Sequence, residues 1–244
     1  MDLHKPKPWH GVREFLKEYL IIVVGVLTAL GGEQVVEALH GRHQAEAGEA
    51  ELRIAFVREV SNAALRAAQD ACVTRRLADL SVVLRQAERT GRLPPLGAIG
   101  HPSFTPWTVG VWPVLVADQA VSHLPRQKAI DYTTIVQTTV YLSGLSDQEE
   151  DQWTVLDSMV GPGRRLSDVE AQDLRTTLAR AAGSSTHMTV TGGRLGDAIR
   201  ATGLLPASEF AEAARRAADS KATADICRPI AVPPTPGQGP TEAR

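Results

Sequence analysis

The chain has 244 residues, 43% hydrophobic and 22% charged, which is enough apolar material for a packed core and unlike a disordered chain. Its formal net charge of -2, with acids and bases interspersed, lacks the basic face or tail of a nucleic-acid binder. Two cysteines, Cys72 and Cys227, stand far apart, with no CxxC or Cys/His cluster to form a structural zinc site.

A basic lead, residues 1–18, carries Lys5, Lys7, Arg13 and Lys17. Residues 19–32 then read Tyr-Leu-Ile-Ile-Val-Val-Gly-Val-Leu-Thr-Ala-Leu-Gly-Gly, without a charge. As a helix this run covers about 21 Å, short of the ~30 Å hydrocarbon core. Three readings compete: a signal-peptide core with Ala29 and Gly31 at its cleavage site, a buried core helix, and a membrane span that borrows length from its flanks. Phe15 and Leu16 extend the apolar face on one side, and Val35, Val36 and Leu39 on the other. Lys17 can snorkel, and Trp9 and Tyr19 suit the interface. Helical patterning does not stop at the small residues, which favours an uncleaved span over 19–39, with Tyr19, Gly25, Ala29 and Gly32 on it. Gly25 and Ala29, four residues apart, give a small-xxx-small face for self-association. Bases before the span and acids after it set the expected topology: N-terminus cytoplasmic, residues from about 40 outside, in a bacterial periplasm.

The stretch Val12-Arg-Glu-Phe-Leu-Lys-Glu-Tyr-Leu-Ile-Ile-Val-Val-Gly-Val-Leu-Thr-Ala-Leu resembles the start of a family of uncharacterised single-span bacterial envelope proteins. Trp112 through Pro125, ending Val-Ser-His-Leu-Pro, with Tyr132 in the next helix, is a second echo. The resemblance covers about a third of the chain. It implies an inner-membrane protein with a helical domain after the span, and supplies no activity and no site residues.

Residues 33–90 hold no proline and read as one long helix, with Gly41 and Gly48 as candidate bends. Leu52, Phe56, Val60, Ala63 and Ala67 recur at helical spacing, and so do Leu77, Leu80 and Leu84. Gly91, Pro94 and Pro95 end it. A Pro/Gly loop follows over 91–105. Thr105-Pro106 predicts a helix start running to about Ser122, with Pro113 bending or delaying it. Pro125 opens a helix to about Leu142. Ser146/Glu149 and Ser167/Glu170 fit the capping-box pattern and predict two more helix starts, separated by Gly161-Pro162-Gly163. Residues 183–193, rich in Gly, Ser and Thr, read as a loop or a weak continuation. Pro206 to about Ala224 is the last helix, and the tail 229–244 reads as disordered.

The fold class expected is all-α: a transmembrane helix continuing into a long helix, with a multi-helix extracytoplasmic bundle over 40–228. In an oxidising compartment Cys72 and Cys227 are a disulfide candidate. The bridge would close a loop of about 155 residues, for which chain entropy gives about 5 kcal/mol.

No residue is assigned as catalytic, cofactor-binding or metal-binding. Glu37 and His40 share a helix face, with Glu33 and His43 nearby, but a di-iron bundle site needs a second such motif, and the chain has none. Glu33, Gln34 and Glu37 are read as marking the exit from the span rather than an ion path. His101, His123 and His187 are scattered, with no Gly-x-Ser-x-Gly elbow. Thr191-Gly-Gly-Arg-Leu-Gly lacks the lysine and preceding strand of a phosphate loop and reads as a turn. Trp107, Trp112 and Trp153 are read as core anchors rather than pocket walls.

The functional expectation is a non-enzymatic module, anchored in the bilayer, that binds a protein partner or self-associates in the envelope. The alternative is a periplasmic enzyme or small-ligand receptor with a pocket between helices. A deep cavity holding a tryptophan and a perturbed acid or histidine would favour that alternative.

Overall fold

The computed structural model describes residues 11–230. Lys5, Lys7, Trp9 and nearly all of the expected tail lie outside the described residues. The fold class is all-α, as the sequence predicts. Its elements are α1 (Val12–Thr90), α2 (Trp112–Ala117), α3 (Arg126–Leu156), α4 (Asp168–Ala201) and α5 (Ala207–Thr223), with a two-residue antiparallel pair, β1 (Arg92–Leu93) and β2 (Arg164–Arg165).

Helix α1 has 79 residues, about 118 Å at the standard rise. It ends where Gly91 turns left-handed, at φ 67°, and donates its N–H to the Ala87 carbonyl. Residues 11–40 are exposed apart from a half-buried Val23, and burial begins at Gly41. The apolar stretch contains an 18-residue window of mean hydropathy 1.8, none of it buried, so α1 is long and apolar enough to cross a membrane. The helix continues without a break through Gly41 and Gly48. These glycines let other elements close on it. A Cβ at Gly41 would run into the His123 ring, and one at Gly48 would stand 2.9 Å from Leu115 Cδ2.

After Gly91 the chain turns back and retraces α1. Ser103 meets Gln69, Pro106 meets Asn62, Thr108 meets Glu59, Leu115 meets Gly48 and His123 meets Gly41. Most of this strap is not helical. The helix expected from Pro106 is replaced by extended chain to Gly110, the six-residue α2 with Pro113 in its first turn, and a short 3-10 turn over 120–123. The reason is packing: Trp107 and Val109 turn into the core at 4% and 6% exposure, while the Pro106 carbonyl faces α1 to accept from Asn62 Nδ2.

Helix α3 is one helix where the capping pattern predicts two. Ser146 and Glu149 lie inside it, both buried, and cap nothing. The second box behaves as predicted: Ser167 Oγ accepts from the Glu170 N–H at 3.3 Å and opens α4. Helix α4 then runs straight through 183–193. Ser184, Ser185 and Gly192 pack inward, with Trp107 Cη2 at ordinary contact distance, 3.6 Å, from where a Cβ of residue 192 would stand. No local signal predicts the β1–β2 pair. It ties the two turns at the end of the bundle far from the apolar stretch of α1.

The long elements alternate in direction around α1. Lys128–Glu49 and Glu149–Arg66 show α3 rising with α1, and Arg175–Glu88 with Gly192 against Ala63 shows α4 descending. Helix α4 lies between α1 and α3, and α5 packs on α1 through Ala213 and Ala217. Two apolar cores result. The near core, toward the apolar stretch of α1, holds Leu52, Phe56, Trp107, Tyr132, Met188 and Ile199. The far core holds Leu80, Leu84, Ile99, Trp153, Leu156 and Ile226.

Candidate functional site

Polar residues interrupt the buried face of α1 at Glu59, Asn62, Arg66, Gln69 and Arg76. Three- and four-residue spacing puts them on one seam of the helix. Each meets backbone or side chain that would otherwise be buried without a partner. Gln69 grips Ser103 twice, giving Nε2–H to Oγ at 2.9 Å and accepting from its N–H at 3.0 Å. Arg58 donates to the Thr108 carbonyl, and Glu59 Oε1 accepts from the Thr108 N–H at 3.3 Å. This seam is what allows an irregular strap to lie along a helix, since unpaired buried backbone groups are costly.

Glu59 is fully buried, and its Oε2 makes no hydrogen bond among the described residues. Burial pushes its carboxyl above the usual range, only partly opposed by Thr108 and Arg58. Arg66 and Glu149 form a two-pronged pair at 2.9 and 2.7 Å, and Arg66 Nη2 also donates to Ser185 Oγ at 2.7 Å. Burial raises the Glu149 carboxyl too, with Arg66 pulling the other way. Glu49 shows the opposite outcome. Burial works to raise it, but hydrogen bonds from Lys128 Nζ and Tyr132 Oη prevail and hold it below the usual range. These charged groups join helix to helix or helix to strap, and none lines a groove described below.

Cys72 and Cys227 are bonded, with their Cα atoms 4.8 Å apart, spanning 155 residues. Arg76, one turn on, donates to the carbonyls of Ile226 and Arg228. Gly100 fits beneath this segment at φ 60°, where a Cβ would stand 2.8 Å from the Asp225 carbonyl carbon. So the disulfide closes the C-terminal segment over both α1 and the strap.

The other singled-out residues stay apart. Glu33, Gln34, Glu37, His40 and His43 are exposed, and no metal-capable group of three or more His, Cys, Asp or Glu occurs among the described residues. His101 lies 3.5 Å from Asp157 at the far end, His123 packs on Gly41 and His187 is on α4. Tyr19, Gly25, Ala29 and Gly32 are exposed, and a Cβ at Gly25 or Gly32 would meet nothing within 4 Å. Trp107 and Trp153 are core residues, and Trp112 is half-buried.

Surface grooves run between the helices. One of about 540 Å³ lies between α1 and α4 and is bridged by the Arg175–Glu88 pair at 2.5 Å. Two others share the outer face of α3 and α4. The nearer, about 760 Å³, is lined by Tyr141, His187 and Arg194 among hydroxyl, amide and aliphatic side chains, with no acid. The farther, about 450 Å³, is lined by Asp151, Gln152, Asp173 and Arg180. Gly144 and Gly183 fall between them, both exposed, and a Cβ at either would meet nothing within 4 Å. A glycine inside a helix costs about 1 kcal/mol relative to alanine. Nothing within the described residues explains that cost at these two positions, nor at Gly193 and Gly196 further along α4, where a Cβ would also meet nothing within 4 Å. The sequence signal is present, since Gly144 and Gly183 each sit in a helical pattern without ending it, but only the register of α3 against α4 sets them opposite each other.

Comparison with protein-family models, curated proteins and solved structures finds no match for this chain.

Proposed function

We propose that this chain is a membrane-anchored module of the bacterial envelope, its N-terminus cytoplasmic and its helical domain periplasmic, and that it works by binding a protein partner. The observation that carries the reading is α1 itself, which leaves an exposed apolar stretch and becomes, without a break, the spine of the folded domain. A domain built this way is held at a fixed distance and angle from its anchor, which serves association between membrane neighbours more than catalysis. The resemblance of the N-terminal stretch to single-span envelope proteins points the same way. The positive-inside bias supports the topology, and the Cys72–Cys227 bond fits an oxidising compartment.

The interior supports binding over chemistry. Trp107 and Trp153 fill the two cores, and the buried carboxylates Glu59 and Glu149 are engaged by Thr108 and Arg66. The grooves are walled largely by exposed side chains. A small-ligand receptor buries most of its ligand instead.

The test is crosslinking of the full chain in its own membrane, with identification of the neighbours, alongside intact mass and membrane fractionation. A membrane-bound chain that retains residues 1–31 and gives a reproducible protein adduct is the expected result. A soluble mature form starting near residue 32 would remove the anchor, and absence of any protein adduct would remove the partner.

A further inference from the structure

We propose that the outer groove of α3 and α4 is the docking site for one helix of a partner protein, acidic at its membrane-proximal end and basic at its far end. The inference deepens the partner-binding reading and rests on it.

The two openings are parts of one groove. Tyr141 lines the near part with His187, and Gln148 lines the far part with Arg180. In an antiparallel pair this register places Gly144 opposite Gly183, midway between the two. Bare backbone on both walls makes the middle of the groove its point of closest approach. Small residues serve that purpose where helices pack tightly. The walls are firm, because neighbouring positions on the same helices, Leu142, Leu145, Ala181 and Met188, are buried in the cores.

Charge decides the occupant. The near part carries Arg194 and His187 with no acid, and among the described residues Arg194 enters no ion pair. The far part carries Asp151 and Asp173 against Arg180. A second copy anchored in the same membrane would bring near part to near part and far part to far part, setting like charges together, which disfavours face-to-face self-pairing. A helix whose acids lie toward the membrane and whose bases lie away from it satisfies both parts. Exposed Tyr141 and Val190, at 52% and 47%, supply apolar contact beside the charges.

The test places a photoreactive amino acid at Tyr141 in the full chain in its native envelope, with the same probe at Val169 as a control site. The expected result is an adduct at 141 to a helix of another protein, with acidic residues on the membrane side of the crosslinked position. A paired Gly144→Leu, Gly183→Leu variant should reduce that adduct at least about tenfold by overpacking the close contact. Its melting temperature should not fall, which separates blockage from misfolding. Adducts to a second copy, adducts equal to those at 169, or adducts insensitive to the two leucines would overturn the proposal. Protein adducts from other faces but not from 141 would overturn the groove alone, leaving partner binding intact. No protein adduct anywhere would overturn both.

Discussion

Arg66 on α1 and Glu149 on α3 meet in a two-pronged ion pair, at 5% and 1% exposure, between the near and far apolar cores. The residues are 83 apart in sequence. Removing one partner strands the other. Glu149→Ala should therefore destabilise the domain by about 3–5 kcal/mol. The double change Arg66→Met, Glu149→Leu, which removes both charges and keeps the volume, should recover most of the loss. Urea unfolding of the two variants and the parent measures both, and equal losses in single and double variants would contradict this account.

Glu59 gives stability a pH dependence. Burial holds its folded pKa above the ordinary glutamate value that it has in the unfolded chain. Between the unfolded and folded values the native state binds the extra proton, so stability falls as pH rises through that window. Glu149 adds a contribution of the same sign. Glu49 has the opposite sign: its folded pKa is depressed, so its contribution is present above the unfolded value and is lost on acidification through the folded one. The three together place maximum stability near the ordinary glutamate value, and Glu59→Gln should flatten the decline toward neutral pH. Thermal melts from about pH 4 to 8, on the order of one scan per half unit, would show the slope or its absence.

Three glycines should respond in opposite directions. At Gly100 the left-handed φ of 60° and the Asp225 backbone leave no place for a Cβ, so Gly100→Ala should cost at least about 2 kcal/mol. At Gly144 and Gly183 nothing obstructs a Cβ, so Gly→Ala at each should stabilise by about 0.5–1 kcal/mol. Chemical denaturation orders the three, and a loss of stability at 144 or 183 would mean that the chain itself needs those glycines.

Loss of the Cys72–Cys227 bond should cost about 2–5 kcal/mol, with the chain-entropy figure as an upper bound. The protein should migrate faster on a non-reducing gel than on a reducing one. Two thiols open to alkylation before reduction would contradict the bond.

The sequence and the structure part company where distant residues overrule local signals. Ser146/Glu149 and Ser167/Glu170 are the same local pattern. Only the second follows the Gly161-Pro162-Gly163 break, and only there does the serine cap a helix. At Ser146 nothing interrupts the helix, and Glu149 is engaged by an arginine from another helix. The strap around Trp107 departs from its helical pattern for a similar reason, since proline at a potential first helical position is a weak signal against two buried side chains. Periodicity is what the sequence carries clearly: the apolar face of α1, its end at Gly91, and α5 after Pro206. It also carries a second signal, less easily read. Glu59, Asn62, Arg66 and Gln69 sit in register with Phe56 and Val60, so polar residues are already visible on a core-facing stripe. The groove depends on the register of α3 against α4, which no local pattern contains.

The far core is closed by groups that become available in a fixed order. Cys72 and Arg76 appear early in synthesis, but the carbonyls and the sulfur that complete them belong to 226–228, some 150 residues later. Contacts of such long separation form slowly, because the intervening chain must be ordered first. If the chain threads through a membrane from its N-terminus, α1 must wait, its seam uncovered, until almost the whole domain has crossed. The latch at Cys72 would then record that delivery is complete.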